Sequence, residues 1–182
     1  MATEYLRPNV VGDLTELSPI GAAANWDCVD EDPTNEDTDY VLSTTLAPVI
    51  PSDLKDLHNL PAPTLLTALD TIVLVRFWIR SRYLNDSGTV QAAPYFKENG
   101  VATSGTLRNM TASYANYYQD YTTRPSDGGA WTFADIGALQ IGVLHNVVGG
   151  GGILASAVRT TQVYCQIEFT RPGGRLIMVK FG

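Results

Sequence analysis

The chain is short of charge. Only 17% of its 182 residues are Asp, Glu, Lys or Arg, and the acids outnumber the bases 19 to 12. A net charge of −7 leaves no cluster of Lys and Arg to neutralise phosphates, so nucleic acid is not an expected partner. Apolar runs are short as well. No window approaches the roughly 18 consecutive apolar residues of a membrane span, so no membrane partner is expected. The opening MATEYLRPN lacks a basic-then-apolar leader, so the chain is expected to be made and used without Sec export. Cysteine and histidine occur twice each. Cys28 and Cys165 are far apart in sequence and read as buried free thiols of a cytosol-made protein; a disulfide would require their strands to be neighbours. His58 and His145 sit in no H-x-E, H-E-x-x-H or Cys/His arrangement, so neither a metal triad nor a nucleophile–base pair can be named. Both read as loop or surface residues. The glycine run 149–152 lacks the lysine and the following helix of a phosphate loop and reads as a hairpin tip. The carboxylates are many, but nothing fixes a separation suited to acid–base work. No enzyme is expected.

Turn-formers and aromatics are plentiful by contrast: 16 glycines, 10 prolines and nine tyrosines, with 45% apolar residues. Low charge with this many turn residues favours an all-β domain of ordinary size. The strongest segment is 71–83, TIVLVRFWIRSRY, which carries eight large apolar or aromatic residues in thirteen. Its alternation puts Val73, Val75, Phe77, Ile79 and Tyr83 on one face. The other face begins with Ile72 and Leu74 and continues as Arg76, Trp78, Arg80 and Arg82. An apolar face of that length requires a second layer, which predicts a two-sheet sandwich.

The remaining segments fit that frame. Residues 1–25 read as an extended arm with at most a short edge strand, because Pro8 and Pro19 oppose ladder pairing. A short strand is expected at 26–29 and another at 40–44. Four prolines between 46 and 63 predict a long crossing loop, with Ser52 able to cap a single helical turn. Residues 89–96 read as the hairpin partner of the central strand across the turn at 85–88, and 98–100 as a second tight turn into 101–106. Strands are expected at 113–121, 139–145 and 159–170. The last has clean alternation, with Thr161, Val163, Cys165, Ile167 and Phe169 inward and Gln162, Tyr164, Gln166 and Glu168 outward. Thr132 and Asp135 form a cap signature for a one-turn helix over 133–138. The fold class is therefore all-β: a two-sheet antiparallel sandwich, jelly-roll-like, over 26–170, with an N-terminal arm (1–25) and an extra C-terminal strand in 171–182.

Once placed, several stretches resemble a family of tailed-bacteriophage virion proteins with jelly-roll folds. These are Leu6-Arg7-Pro8-Asn9, Trp26 with Val29-Asp30-Glu31, and Asp37-Thr38-Asp39-Tyr40-Val41. Further on come Gly129-Ala130-Trp131-Thr132 with Asp135-Ile136, Ile141-Gly142-Val143, and Thr161-Gln162-Val163-Tyr164. The resemblance covers roughly 5–170 with gaps. It implies a virion protein made in the host cytoplasm, acting as a capsid decoration or cement subunit or as an accessory head or tail component. Its expected partners are other virion proteins, major capsid or tail proteins among them, and further copies of itself.

Three candidate sites follow from the residues. The run 27–39 holds seven of the nineteen acids. Asp30, Glu31, Asp37 and Asp39 are the candidate oxygen ligands for Ca²⁺, although the spacing matches no EF-hand loop. A solvated loop, or pairing with Arg76, Arg80 or Arg82, is the alternative. Trp78, Tyr117, Tyr118, Tyr121 and Trp131 form a candidate aromatic surface, for a protein partner above all and for a glycan as the alternative. Within it, Tyr117, Tyr118 and Tyr121 are the interface candidates. Leu176, Met178 and Phe181 belong to an apolar segment, 175–181, expected to add as a strand to a neighbour's sheet.

Overall fold

A computed structural model describes residues 1–31, 38–44, 52–85, 88–149 and 157–172. Twelve strands follow one another: β1 (Ala2–Leu6), β2 (Val10–Thr15), β3 (Ser18–Ile20), β4 (Tyr40–Thr44), β5 (Ser52–Asn59), β6 (Thr71–Asn85), β7 (Gly88–Glu98), β8 (Val101–Ser104), β9 (Arg108–Asn109), β10 (Ala115–Tyr121), β11 (Gln140–Gly149) and β12 (Ala157–Thr170). They form two antiparallel sheets. The front sheet runs β10-β6-β12-β4-β3, with β1 pairing the far half of β12; the back sheet runs β2-β5-β11-β7-β8, with β9 on β7.

The order is that of a jelly roll. Counting β4 to β8 and β10 to β12 as strands one to eight, first pairs with eighth (β4–β12), second with seventh (β5–β11), third with sixth (β6–β10) and fourth with fifth (β7–β8). This is one long antiparallel hairpin rolled up so that successive strands, apart from the β7–β8 pair at its tip, alternate between sheets. The pairing of 71–83 with 89–96 is therefore corrected: β6 pairs β10 and β12, while β7 pairs β11, β8 and β9. Each of the two strands has an apolar face that needs cover more than it needs a lateral neighbour. They meet across the core, where the rings of Phe77 and Phe96 stack at 4.1 Å and 14°.

The inner face of β6 differs from simple alternation at one place. Leu74 stands opposite Glu168 and Ile72 opposite Phe169, so Val73 is an extra residue with no partner on β12. This bulge turns Ile72 into the core (7% exposed) and Val73 out (36%), then restores Val75, Phe77 and Ile79 inward. The tight turn at 98–101 is as expected: Glu98 pairs Val101, with Asn99 at φ 48° and Gly100 at φ 80°, the two positive values of a type I′ turn. Helix α1 (Phe133–Gly137) begins at a complete capping box between Thr132 and Asp135.

Three segments depart from the sequence expectations. Residues 26–28 are a 3-10 turn, Trp26–Cys28, and not a strand. The expected arm supplies three edge strands: β1 and β3 in the front sheet and β2 in the back sheet, each paired on one side. Pro8 lies between β1 and β2 and Pro19 within edge strand β3, positions where a missing ladder donor costs little. The third is β5, which occupies an interior place in the back sheet where a loop with a capped turn is the expectation. Its core side presents Asp56 and His58, both fully buried. Asp56 accepts hydrogen bonds from the backbone of Glu16 (2.8 Å) and Leu17 (3.0 Å) and from Asn25 Nδ2 (2.6 Å), and so fastens 16–25 to the sheet. Burial pushes its carboxyl above the usual range. Cys28 and Cys165 are both buried and free.

β11 and β5 approach so closely at Gly142 that a Cβ there would fall inside the Asp56 carbonyl, whereas one on Gly137 at the end of α1 would meet open space. Gly142→Ala is expected to lower stability by roughly 2–3 kcal/mol, the overpacking cost of displacing backbone. Gly137→Ala should raise it by up to about 1 kcal/mol through helix propensity. Chemical denaturation of the two variants checks the contrast; equal midpoints would contradict the close approach.

Candidate functional site

The outward face of the front sheet gathers aromatic rings by register. Tyr118 of β10 stands opposite Trp78 of β6, and Trp78 stands opposite Tyr164 of β12. Tyr5 of β1 closes the row from the next strand. Ring centroids are 4.7 Å apart for Tyr118–Trp78, 5.7 Å for Trp78–Tyr164 and 6.1 Å for Tyr164–Tyr5. Exposure is greatest at the two ends, 47% at Tyr118 and 53% at Tyr5, while Tyr164 is 7% exposed. The row thus spans four strands with a packed middle and wet ends.

Arginines lie on these rings. The Arg76 guanidinium sits 4.2 Å from the Tyr118 centroid and 5.4 Å from that of Trp78, and Arg7 sits 6.0 Å from Tyr164. Arg76 is also held by a bidentate pair with Asp120, Nε to Oδ1 at 2.5 Å and Nη2 to Oδ2 at 2.7 Å. Trp78 Nε1 donates to Gln166 Oε1 (3.1 Å), whose amide in turn donates to Glu168 (3.0 Å). Farther along the same face Arg80 and Arg82 lie over Tyr114 at 5.5 and 4.8 Å, and Arg159 lies over Tyr40 at 4.3 Å. The arginine ladder of β6 is real, and Asp120 rather than the acidic run is the acid that pairs with Arg76.

The structure sorts the aromatic candidates. Trp78 and Tyr118 belong to the surface row. Tyr117 and Tyr121 turn inward and pack against the core, Tyr121 making an edge contact with Phe96 at 5.1 Å. Burial raises the phenol of Tyr121 above its usual range. Trp131 is buried, 6.4 Å from Phe77. Tyr5 and Tyr164 complete the row. Tyr164 carried a signal, its outward place in the alternation of β12; Tyr5 carried none, since only register brings β1 alongside.

Among the described residues the acidic candidates do not converge. The backbone of Asp30 bridges Gln162, and burial followed by the charge of Asp27 pushes its carboxyl upward. The Glu31 carbonyl accepts from Arg7 Nε at 3.2 Å, and the Asp39 carboxylate lies against Gly21. Among the described residues no group of three His, Cys, Asp or Glu is placed to hold a metal. Asp37, Leu176, Met178 and Phe181 lie outside the described residues, as does most of the glycine run.

No family model and no curated protein matches the sequence. Among solved structures, one described as "CBM4 structure and function" aligns with 90% of this chain and 94% of its own, at 11% identity and a TM-score of 0.38. A likeness at that level carries no functional argument.

The two histidines are not surface residues. Both are fully buried on core-facing positions of β5 and β11. His145 Nε2 is hydrogen-bonded to Thr160 Oγ1 (2.7 Å), and Thr160 to Ser81 Oγ (2.7 Å), a polar chain that crosses between the sheets. Neither ring nitrogen of His58 has a hydrogen-bond partner. Burial disfavours the imidazolium and lowers His58 from 6.5 to about 4 and His145 to about 3. The unfolded chain binds these protons below pH 6.5 and the folded one does not, so stability falls as the pH drops from there towards 4. The slope approaches roughly 1.4 kcal/mol per pH unit for each histidine. Melting temperatures at pH 7.5, 6.5, 5.5 and 4.5 check this, and His58→Leu should flatten part of the fall. A flat profile in the parent protein would contradict the neutral buried pair.

Proposed function

We propose that this protein is a non-catalytic structural subunit of a bacteriophage particle, a capsid decoration or cement protein or an accessory head or tail component. It works by pressing the aromatic–arginine face of its front sheet against another virion protein. The observation that carries the reading is the row Tyr118–Trp78–Tyr164–Tyr5 with arginines laid upon it. Tyr, Trp and Arg are the residues that concentrate in interface centres and dominate binding energy there. A jelly roll hosts capsid proteins and lectins alike, so the choice between protein and glycan rests on the surface. Sugar stacking needs ring faces open to solvent. Here Trp78 and Tyr164 turn their faces towards each other at 15°, and Arg76 covers Tyr118. The middle of the row is closed, with Tyr164 buried, which suits a protein surface better than a pyranose. Repeated sites on a particle also favour self-association.

The test is co-sedimentation of the purified protein with tailed-phage heads or tails assembled without it. Trp78→Ala is expected to weaken that binding by roughly thirtyfold or more, the mark of a central anchor, while the variant keeps its native circular dichroism. Binding on a glycan array, abolished by the same substitution and without particle association, would replace the virion reading with the carbohydrate one.

A further inference from the structure

Arg82 of β6 and Arg159 of β12 stand directly opposite one another in the ladder. Both project from the outward face, since their neighbours Ser81 and Thr160 are paired and buried on the inward side. Like charges at directly opposed positions, with Cβ atoms about 5 Å apart, repel. Among the described residues neither guanidinium has an ion pair, and the Nε of each is buried without a hydrogen-bond partner. Arg76 on the same face is paired with Asp120, whereas the partners described for these two are rings. Tyr114 lies under Arg82 and Tyr40 under Arg159, so both groups are held in place before anything arrives.

Two cations held side by side, each with a buried Nε that has no acceptor among the described residues, form a site suited to an anion. We infer that Arg82 and Arg159 together bind an oxyanion, and that in the working assembly it is the carboxylate of an acidic side chain on the docking protein. The assignment of the source to a protein rests on the interface reading above; the anion site itself does not. A carboxylate shared between two guanidinium groups gains charge-assisted hydrogen bonds and removes the repulsion at once. It also sets register, because the site lies off the aromatic row and fixes the rotation of a partner seated on that row.

The two Nε–H groups report directly. In ¹⁵N-labelled protein their resonances should shift on titration with the blocked peptide Gly-Asp-Glu-Asp-Gly and stay still with Gly-Asn-Gln-Asn-Gly. Arg82→Gln and Arg159→Gln should each weaken the acidic peptide by roughly tenfold, the equivalent of one lost charge-assisted contact. Arg108→Gln, on β9 of the back sheet, should leave it unchanged. Neither substitution is expected to unfold the sheet, since each removes a repulsion, and the shifts in the parent protein test the site even if one does. Unmoved Nε–H signals, or full peptide affinity in both variants, would overturn the site. Inorganic phosphate shifting the signals where the acidic peptide does not would overturn the carboxylate source. Peptide binding retained alongside failed co-sedimentation would count against the particle reading alone.

Discussion

The stack of Phe77 on Phe96 is the point at which the two sheets become one domain. A jelly roll places successive strands in opposite sheets, so its local sequence neighbours are seldom hydrogen-bonded neighbours and must be joined through the core. The two rings lie nearly parallel at 4.1 Å, with Tyr121 and Trp131 set against them edge-on or tilted. Four large aromatics in contact fix the spacing between layers, and with it the faces that can be outward. Trp78 points to solvent because Phe77 and Ile79 do not. The bulge at Val73 serves the same end by keeping that parity while letting Ile72 also reach the core.

Buried carboxylates fasten to this core the parts of the chain that are neither strand nor helix. Glu4 on β1 accepts the backbone N–H groups of Thr64, Leu65 and Leu66 at 2.6 to 3.0 Å, and pins the crossover between β5 and β6. Burial pushes its pKa up, but those bonds outweigh it and leave the group below the usual range. Asp135 repeats the arrangement in the α1 loop, held by Thr132, Arg124 and Asn99. Asp56 is the third, and there burial prevails. At Glu4 and Asp135 a charge is tolerated inside because donors converge on it, several of them backbone groups.

These same residues explain what the sequence could and could not disclose. β6, β10, β12, the capping box of α1 and the turn at 98–101 each follow from a local pattern, and together they imply a sandwich. β5 was hidden because its core side alternates Leu54, Asp56 and His58, two of them polar, so the period of a buried strand was masked by groups whose partners are far away in sequence. His145 misled in the same manner: its neighbour Thr160 belongs to another sheet. Residues 1–25 read as an arm because edge strands bond on one side and tolerate proline. The surface row was half legible. Alternation sends Trp78, Tyr118 and Tyr164 outward one strand at a time, but their meeting depends on the register between three strands, which no single strand encodes.

Register also explains why the face is built with arginine and not lysine. A guanidinium can lie flat on a ring and still present donors at its edge, whereas an ammonium is a strongly hydrated point charge on a flexible stem. Arg76 uses both properties, one towards Tyr118 and the other towards Asp120. Arg82 and Arg159 use the first, and among the described residues their Nε donors have no acceptor. A chain with seven more acids than bases that nonetheless opposes two cations across a ladder is accepting a local repulsion against its overall charge. The anion proposed for this pair would relieve that cost, and the aromatic row beside it supplies the apolar surface on which its carrier would rest.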